Sequence, residues 1–275
     1  MSLSINTNIA AIDAYNNLNT TSNNLDKTIS QLSSGLQIQT AADNSSGYVI
    51  AQDLQSQSNG LSVAITNGQN AVSVLQIANG AMNQQVSILQ RMNQLAVQAS
   101  NAGALTSNAQ TAVNTEFTDL SNQLNQIALA TTFGSSTQLL ASNTTLTFQL
   151  GAYNNTNDLV TVSIQASTSA SLGLSGLSLG SFASAQVALT AVQSAITSLS
   201  INQAAVGASQ NQIQADIANI TITQQNVQAA HSTLVDANMA QTMTTFTAQQ
   251  ILMQAGTAML GQAQQLPSML LKLIP

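Results

Sequence analysis

The chain has no cysteine, one histidine and two prolines in 275 residues, and only 4% of its residues are charged. Without cysteine there is no disulfide, no thiolate zinc site and no cysteine nucleophile. A single histidine, His231, excludes a His-pair metal site and the HExxH motif. Lys27, Arg91 and Lys272 are the three basic residues. Three cations cannot neutralise a stretch of phosphates, which excludes general nucleic-acid binding, and they form no patch for an anionic membrane. No apolar run is long enough to cross a bilayer, so no membrane-spanning helix is expected. The opening Met1-Ser-Leu-Ser-Ile-Asn-Thr-Asn8 has no positive n-region, so no ordinary cleaved signal peptide is expected. Neither a P-loop nor a GxGxxG nucleotide motif occurs.

What is abundant is amide. Against 12 charged side chains stand 28 Asn and 35 Gln. Apolar residues make up 44%, enough for a sizeable core. The prolines are Pro267 and Pro275, so nothing before residue 267 interrupts a helix through a missing N–H.

Apolar steps alternating four and three define the seam of a helix packed along a partner. Leu61, Ile65, Gly68, Val72, Leu75, Asn79, Met82, Val86, Leu89, Asn93 and Ala96 keep that step. Further seams run through Leu18, Ser22, Leu25, Ile29, Leu32 and Leu36, and through Val113, Phe117, Leu120, Leu124 and Ile127. The longest passes from Leu199 through Gln203, Val206, Gln210, Ile213, Ile217, Ile220, Gln224, Val227 and His231 to Leu234. Near the end Met239, Met243, Phe246, Gln250, Met253, Thr257 and Leu260 repeat it. One region changes period. Leu146, Phe148 and Leu150, then Val160, Val162 and Ile164, alternate with polar residues, which predicts a β-hairpin over about 144–165. Ser167–Ser184 has no clear period and reads as an irregular connection. The expected fold is mainly α: a long antiparallel coiled-coil-like helical bundle with a small β-hairpin, N- and C-termini paired. Seams left uncovered by that bundle would need another copy of the chain.

These residues resemble bacterial flagellin over nearly the whole length. The resemblance rests on Ile5-Asn6-Thr7-Asn8, on Gln31-Leu-Ser-Ser-Gly-Leu-Gln-Ile38 followed by Ala41–Ile50, and on Leu89-Gln-Arg-Met-Asn-Gln-Leu-Ala-Val-Gln98. It continues through Phe133–Leu140, Phe148-Gln-Leu-Gly-Ala152, Gly207-Ala-Ser-Gln-Asn211 and Ala248–Pro267. Order and spacing across two distant ends make it specific. It implies residues 1–42 and 236–275 as terminal inner-core helices, and 43–235 as a rod-like helical domain with the hairpin. No room remains for an inserted variable domain, so the resemblance is to a minimal flagellin.

The resemblance further implies a non-enzymatic subunit, without cofactor, that homo-polymerises into the extracellular flagellar filament. Its inner interface would use Ile5, Ile9, Ile12, Leu18, Leu25, Ile29, Leu32, Phe246, Ile251, Leu252, Met259, Leu260, Leu266 and Leu270. Implied partners are an export chaperone and the cap and hook-associated junction proteins. Arg91, Leu95, Gln98 and Glu116 match positions that a Toll-like receptor contacts on some flagellins. Alternatives are the hook–filament junction protein and a secreted adhesin or receptor ligand.

Where the family usually carries charge, this chain has Gln31, Gln37, Ala42, Asn93, Gln94 and Ala248. Carboxylates lose their charge below about pH 4 whereas amides do not titrate, so the depletion suits a filament working in acid. His231 reads as a polar seam position that fixes register, as do Gln203, Gln210 and Gln224. Glu116 and Asp119 lie three apart on one helix face, without the cleft and partner that a catalytic carboxylate pair needs.

Overall fold

The computed structural model describes residues 7–101, 105–134 and 137–271, with residues 266–271 described as helix backbone. In chain order the helices are α1 (Ile9–Ser34), α2 (Ser45–Ala99), α3 (Ser107–Ala130), α4 (Phe182–Val235) and α5 (Met239–Leu271). Between α3 and α4 lie two antiparallel hairpins, β1 (Thr132–Phe133) with β2 (Thr137–Gln138), and β3 (Thr144–Gln149) with β4 (Leu159–Ile164). Close contacts divide the chain into two units: residues up to Ser56 together with those from Asn226 on, and Gln57–Gln225.

The second unit holds the main core. The long α2 seam faces inward, with Leu61, Leu75, Met82, Leu89 and Ala96 buried. A second stripe at a seven-residue period, Ala64, Ala71, Ala78, Gln85, Met92 and Ala99, is buried beside it. So α2 buries a broad face rather than a narrow two-helix seam, because α3, α4 and the larger hairpin all pack on it. Gln203 Nε2 on α4 donates to Asn83 Oδ1 at 3.0 Å, and Gln224 Nε2 donates to the Ser58 carbonyl at 3.5 Å, which sets α4 antiparallel to α2. Gln85 lies in the core itself; its Nε2 donates to the carbonyls of Leu124 and Ser167 at 3.2 and 3.1 Å, joining α2 to α3 and to the connection after β4. Fully burying side chains such as Leu75, Leu89 and Phe117 contributes roughly 1.5–3 kcal/mol each.

The larger hairpin has the expected register, with Leu146 opposite Val162 and Phe148 opposite Val160. Val160, Val162 and Ile164 point into the core while Thr161 and Ser163 face out. Beyond β4 the ladder is continued by a side chain: Asn202 accepts from the Gln165 N–H and donates to the Gln165 carbonyl. The connection from 165 to 181 has no regular element, yet Ser167, Leu174 and Leu179 are buried. It leads into α4 with no inserted domain. There Ser181 and Ser184 cap each other's backbone N–H reciprocally and start the helix. The short β1–β2 hairpin has no counterpart in the sequence expectation; two-residue strands are too short to show a period.

The first unit is thin. Asn8 caps α1 by accepting from the Ala11 N–H at 3.1 Å. Gly35 ends the helix with φ 74°, a left-handed conformation that glycine adopts without a Cβ penalty. α5 runs antiparallel to α1, with Asn8 at Ala263, Leu18 at Gly256, and Thr28 Oγ1 donating to Gln249 Oε1 at 2.8 Å. The chain after α1 pairs with the chain after α4: the Gln37 N–H donates to the Val235 carbonyl at 2.6 Å, and the Ala237 N–H to the Gly35 carbonyl at 2.8 Å.

The α5 seam differs from expectation. Thr242, Thr245, Phe246, Gln249, Met253, Gly256, Leu260 and Ala263 are its covered positions, whereas Met239, Met243, Gln250 and Thr257 face out. Small residues such as Gly256 and Ala263 let the two helices approach closely between the larger Phe246, Met253 and Leu260. Pro267 lies within α5 and has no N–H for the Ala263 carbonyl. Asn8 Nδ2 fills that vacancy at 2.7 Å, so one side chain caps α1 and satisfies α5.

Two substitutions test this packing. Asn8→Asp keeps the cap and removes the donor to Ala263; it should lower stability of the terminal pair by about 1 kcal/mol in denaturant titration. In a Pro267→Ala background, where the helix supplies its own N–H, the same substitution should have almost no effect. Gly68 sits on the α2 seam where a Cβ would come within 2.7 Å of Ile217 Cγ1. Gly68→Ala should destabilise the second unit by about 1–3 kcal/mol, read as a lowered Tm.

Candidate interaction surface

Among the described residues the first unit offers an unusual surface. From Met239 to Leu271, α5 contains no charged or titratable residue. Its apolar residues are spread around the whole circumference, and α1 covers one side. Met239, Met243, Ile251, Leu252 and Met259 remain exposed. On α1, Ile9, Ile12, Tyr15 and Ile29 are exposed in the same way. An uncharged helix with large apolar residues on every side needs more cover than one neighbour gives, and the single chain supplies only part of it.

The interface residues expected from sequence fall into two sets. Ile9, Ile12, Ile29, Ile251, Leu252 and Met259 point outward, between 46% and 64% exposed. Leu18, Leu25, Leu32, Phe246 and Leu260 are half-buried, on positions that join α1 to α5 within the chain. Ile5 lies outside the described residues, as do the side chains of Leu266 and Leu270. Tyr15, Met239 and Met243 are outward-facing apolar residues absent from that expectation. Their signal in the sequence is apolar character on a helix side that a single partner cannot reach.

Polar chemistry nearby is nearly all neutral. A shallow groove of about 220 Å³ between α1 and α5 is lined by amides and hydroxyls, including Thr28, Gln31, Gln241 and Thr245. The one ion pair described in this unit joins Lys27 Nζ to Asp43 Oδ1 at 2.8 Å. Asp43 Oδ2 also accepts from the backbone N–H groups of Thr40 and Gln39, at 3.1 and 3.3 Å, and so closes the turn leading into α2. The Lys27 ammonium first, and these N–H donors next, hold the Asp43 carboxyl down at about 2, from an ordinary 3.8. His231 is half-buried on the α4 seam.

In the second unit, Arg91 meets Glu116 across α2 and α3, with Nη2–Oε1 and Nε–Oε1 distances of 2.7 and 2.8 Å. The pair is about half exposed, so it contributes roughly 0–1 kcal/mol. Gln98 is exposed, but Leu95 is 1% exposed and belongs to the core. A partner at Arg91 would therefore meet Glu116 and Gln98 rather than Leu95. Asp158 and Asp216 line an open groove together with Asn157, Gln212 and Asn219. No group of three or more potential metal ligands occurs among the described residues.

Comparison with known proteins bears on both ends of the chain. Residues 5–145 match the family model of the bacterial flagellin N-terminal helical region, and residues 189–274 that of the C-terminal helical region. A flagellin of Halalkalibacterium halodurans is 35% identical over 272 residues, covering 98% of this chain and 99% of the relative. The flagellar filament 33 kDa core protein of Treponema phagedenis is 31% identical over 286 residues, with coverage of 98% and 99%. Among solved structures, Bacillus cereus flagellin is similar with a TM-score of 0.50 and 25% identity, covering 60% of this chain and 94% of that one.

The Asp43 clasp makes a pH prediction. Its carboxyl is depressed in the folded state, so its stabilising contribution is complete above about pH 4, declines below that and is gone below about pH 2. The Asp43 side-chain carboxyl resonance should titrate near that low value in the wild type. Lys27→Met should move its midpoint upward, towards the ordinary carboxylate range.

Proposed function

The chain belongs to the bacterial flagellin family and is a structural subunit of the extracellular flagellar filament; from that premise we propose how its surfaces divide the work. α1 and α5 form the inner layer, each copy laying its uncovered apolar side against neighbouring copies. Residues 43–235 form the rod-like domain of the subunit. The observation that carries this reading is α5, uncharged, with apolar residues all around its circumference and covered by α1 on one side only.

The magnitudes fit a polymer. Nine outward apolar side chains are each about half exposed. Completing the burial of one contributes about 1 kcal/mol, so together they reach roughly 9 kcal/mol. That is comparable with what association loses in translational and rotational freedom, so lasting contact needs several neighbours at once. A lone α1–α5 pair has little core of its own and gains its order on assembly. An export chaperone that covers α5 would keep copies apart before secretion. The same apolar sides, at the ends of the polymer, would meet the cap and the hook-associated junction proteins. Arg91, Gln98 and Glu116 form the exposed patch where a Toll-like receptor would touch the subunit. The role is mechanical, and no residue is assigned a catalytic part.

Ile12→Gln and Ile251→Gln test the reading at positions exposed in the single chain. Each should leave the circular dichroism of the monomer unchanged and raise the critical concentration for polymerisation about fivefold, read by sedimentation. The double variant should raise it by more than tenfold. Unaltered polymerisation in the double variant would place the contact elsewhere.

A further inference from the structure

Charge is scarcest where copies would meet. α5 has no titratable side chain between Met239 and Leu271. The groups around it in the first unit are few: Asp13, Tyr15, Asp26 and Lys27 on α1, Asp43 and Asp236 in the connections, Tyr48 and Asp53 on α2, and His231 on α4. Lys272 lies outside the described residues. Asp43 is held by Lys27, and Asp236 accepts from the Ser232 hydroxyl. The polar positions of α5 are instead Gln, Ser and Thr. Several of their hydroxyls, those of Thr242, Thr244 and Thr245 among them, donate back to the helix's own carbonyls.

The whole chain follows the same rule. Protonating all nine carboxylates and charging His231 moves the side-chain net charge only from −6 to +4. A chain of this length with ordinary charge content has roughly 35 carboxylates, and its charge would swing three to four times as far. In a polymer that swing is repeated in every copy at short spacing, so self-repulsion in acid rises steeply with it.

We infer that this filament assembles and persists equally well at neutral pH and in strong acid, because the α5 side of its subunit contacts is built from apolar, amide and hydroxyl groups and α1 adds only a few charges. The inference rests on the filament reading. It assigns a working condition to the contact surface: nothing on α5 changes charge between about pH 7 and pH 3, and the only cationic partner of a carboxylate described in the first unit, Lys27, keeps Asp43 ionised through most of that range.

The test uses the full chain, polymerised from seeds at about pH 7 and about pH 3. Critical concentration is read by sedimentation, and tube formation by negative-stain electron microscopy. Critical concentrations within about twofold of each other are expected. A Gln254→Glu variant, which sets a carboxylate on the exposed side of α5, should assemble at least fivefold less readily at the higher pH and recover at the lower one. Filaments that form near pH 7 and dissolve near pH 3 would overturn this inference alone. A Gln254→Glu variant indifferent to pH would overturn it too, since the contact would then not sense charge. An absence of filaments under every condition would overturn the filament reading and this inference with it.

Discussion

A helix covered on one side, free of charge and with apolar residues on every side sets the terms for the rest of this molecule. α5 packs on α1 through Phe246, Met253 and Leu260 together with Thr242, Thr245, Gln249, Gly256 and Ala263, the small or polar residues allowing close approach. The large residues Ile251, Leu252 and Met259 are left for other neighbours. Large side chains are thus divided, with Phe246, Met253 and Leu260 covered within the chain and an equally large set left outward. This division is economical only where a second copy arrives to cover the outward set, because nine exposed apolar residues on two helices would otherwise favour indiscriminate aggregation. On α5 specificity then has to come from shape, since no charged side chain lies between Met239 and Leu271.

The second unit obeys the opposite logic. Its core is complete within one chain, from Ala71 to Ile213, and reaches α2, α3, α4 and the larger hairpin. The centre of that core holds an amide, Gln85, bridging two carbonyls that belong to different parts of the chain. Asn202, at the end of β4, instead uses both its amide atoms on one peptide, accepting from the Gln165 N–H and donating to the Gln165 carbonyl. An amide presents a donor and an acceptor in one plane and so can match a backbone peptide without burying a charge. A buried ion pair in either place would incur a desolvation penalty of several kcal/mol per ion.

The sequence carried this architecture unevenly. The long seams of α2, α3 and α4 were legible because their apolar residues are large and recur at 4–3 steps; every position named on them is buried or half-buried. The hairpin was legible because Leu146, Phe148, Val160 and Val162 alternate. The stripe Ala64, Ala71, Ala78 was not, since alanine is equally at home on a surface. On α5 the apolar residues are so evenly distributed that two registers fit the pattern, and large residues drew the reading towards the wrong one. Leu95 matched a family motif by position, yet position within a motif does not show which side of a helix faces solvent.

The role of Asn8 explains why the two ends of the chain depend on each other. Pro267 deprives α5 of one hydrogen bond, which in an isolated helix would favour a kink or an end. The missing donor comes from a residue that also starts α1. Each helix end is therefore stabilised in full only when the other is in place. That couples folding of the termini to their pairing, and pairing in turn presents the outward apolar residues in fixed positions. A chain in which α5 formed alone would expose the same residues without the register needed to place them. The proline near the end of α5 thus makes the contact surface conditional on the N-terminal helix being present.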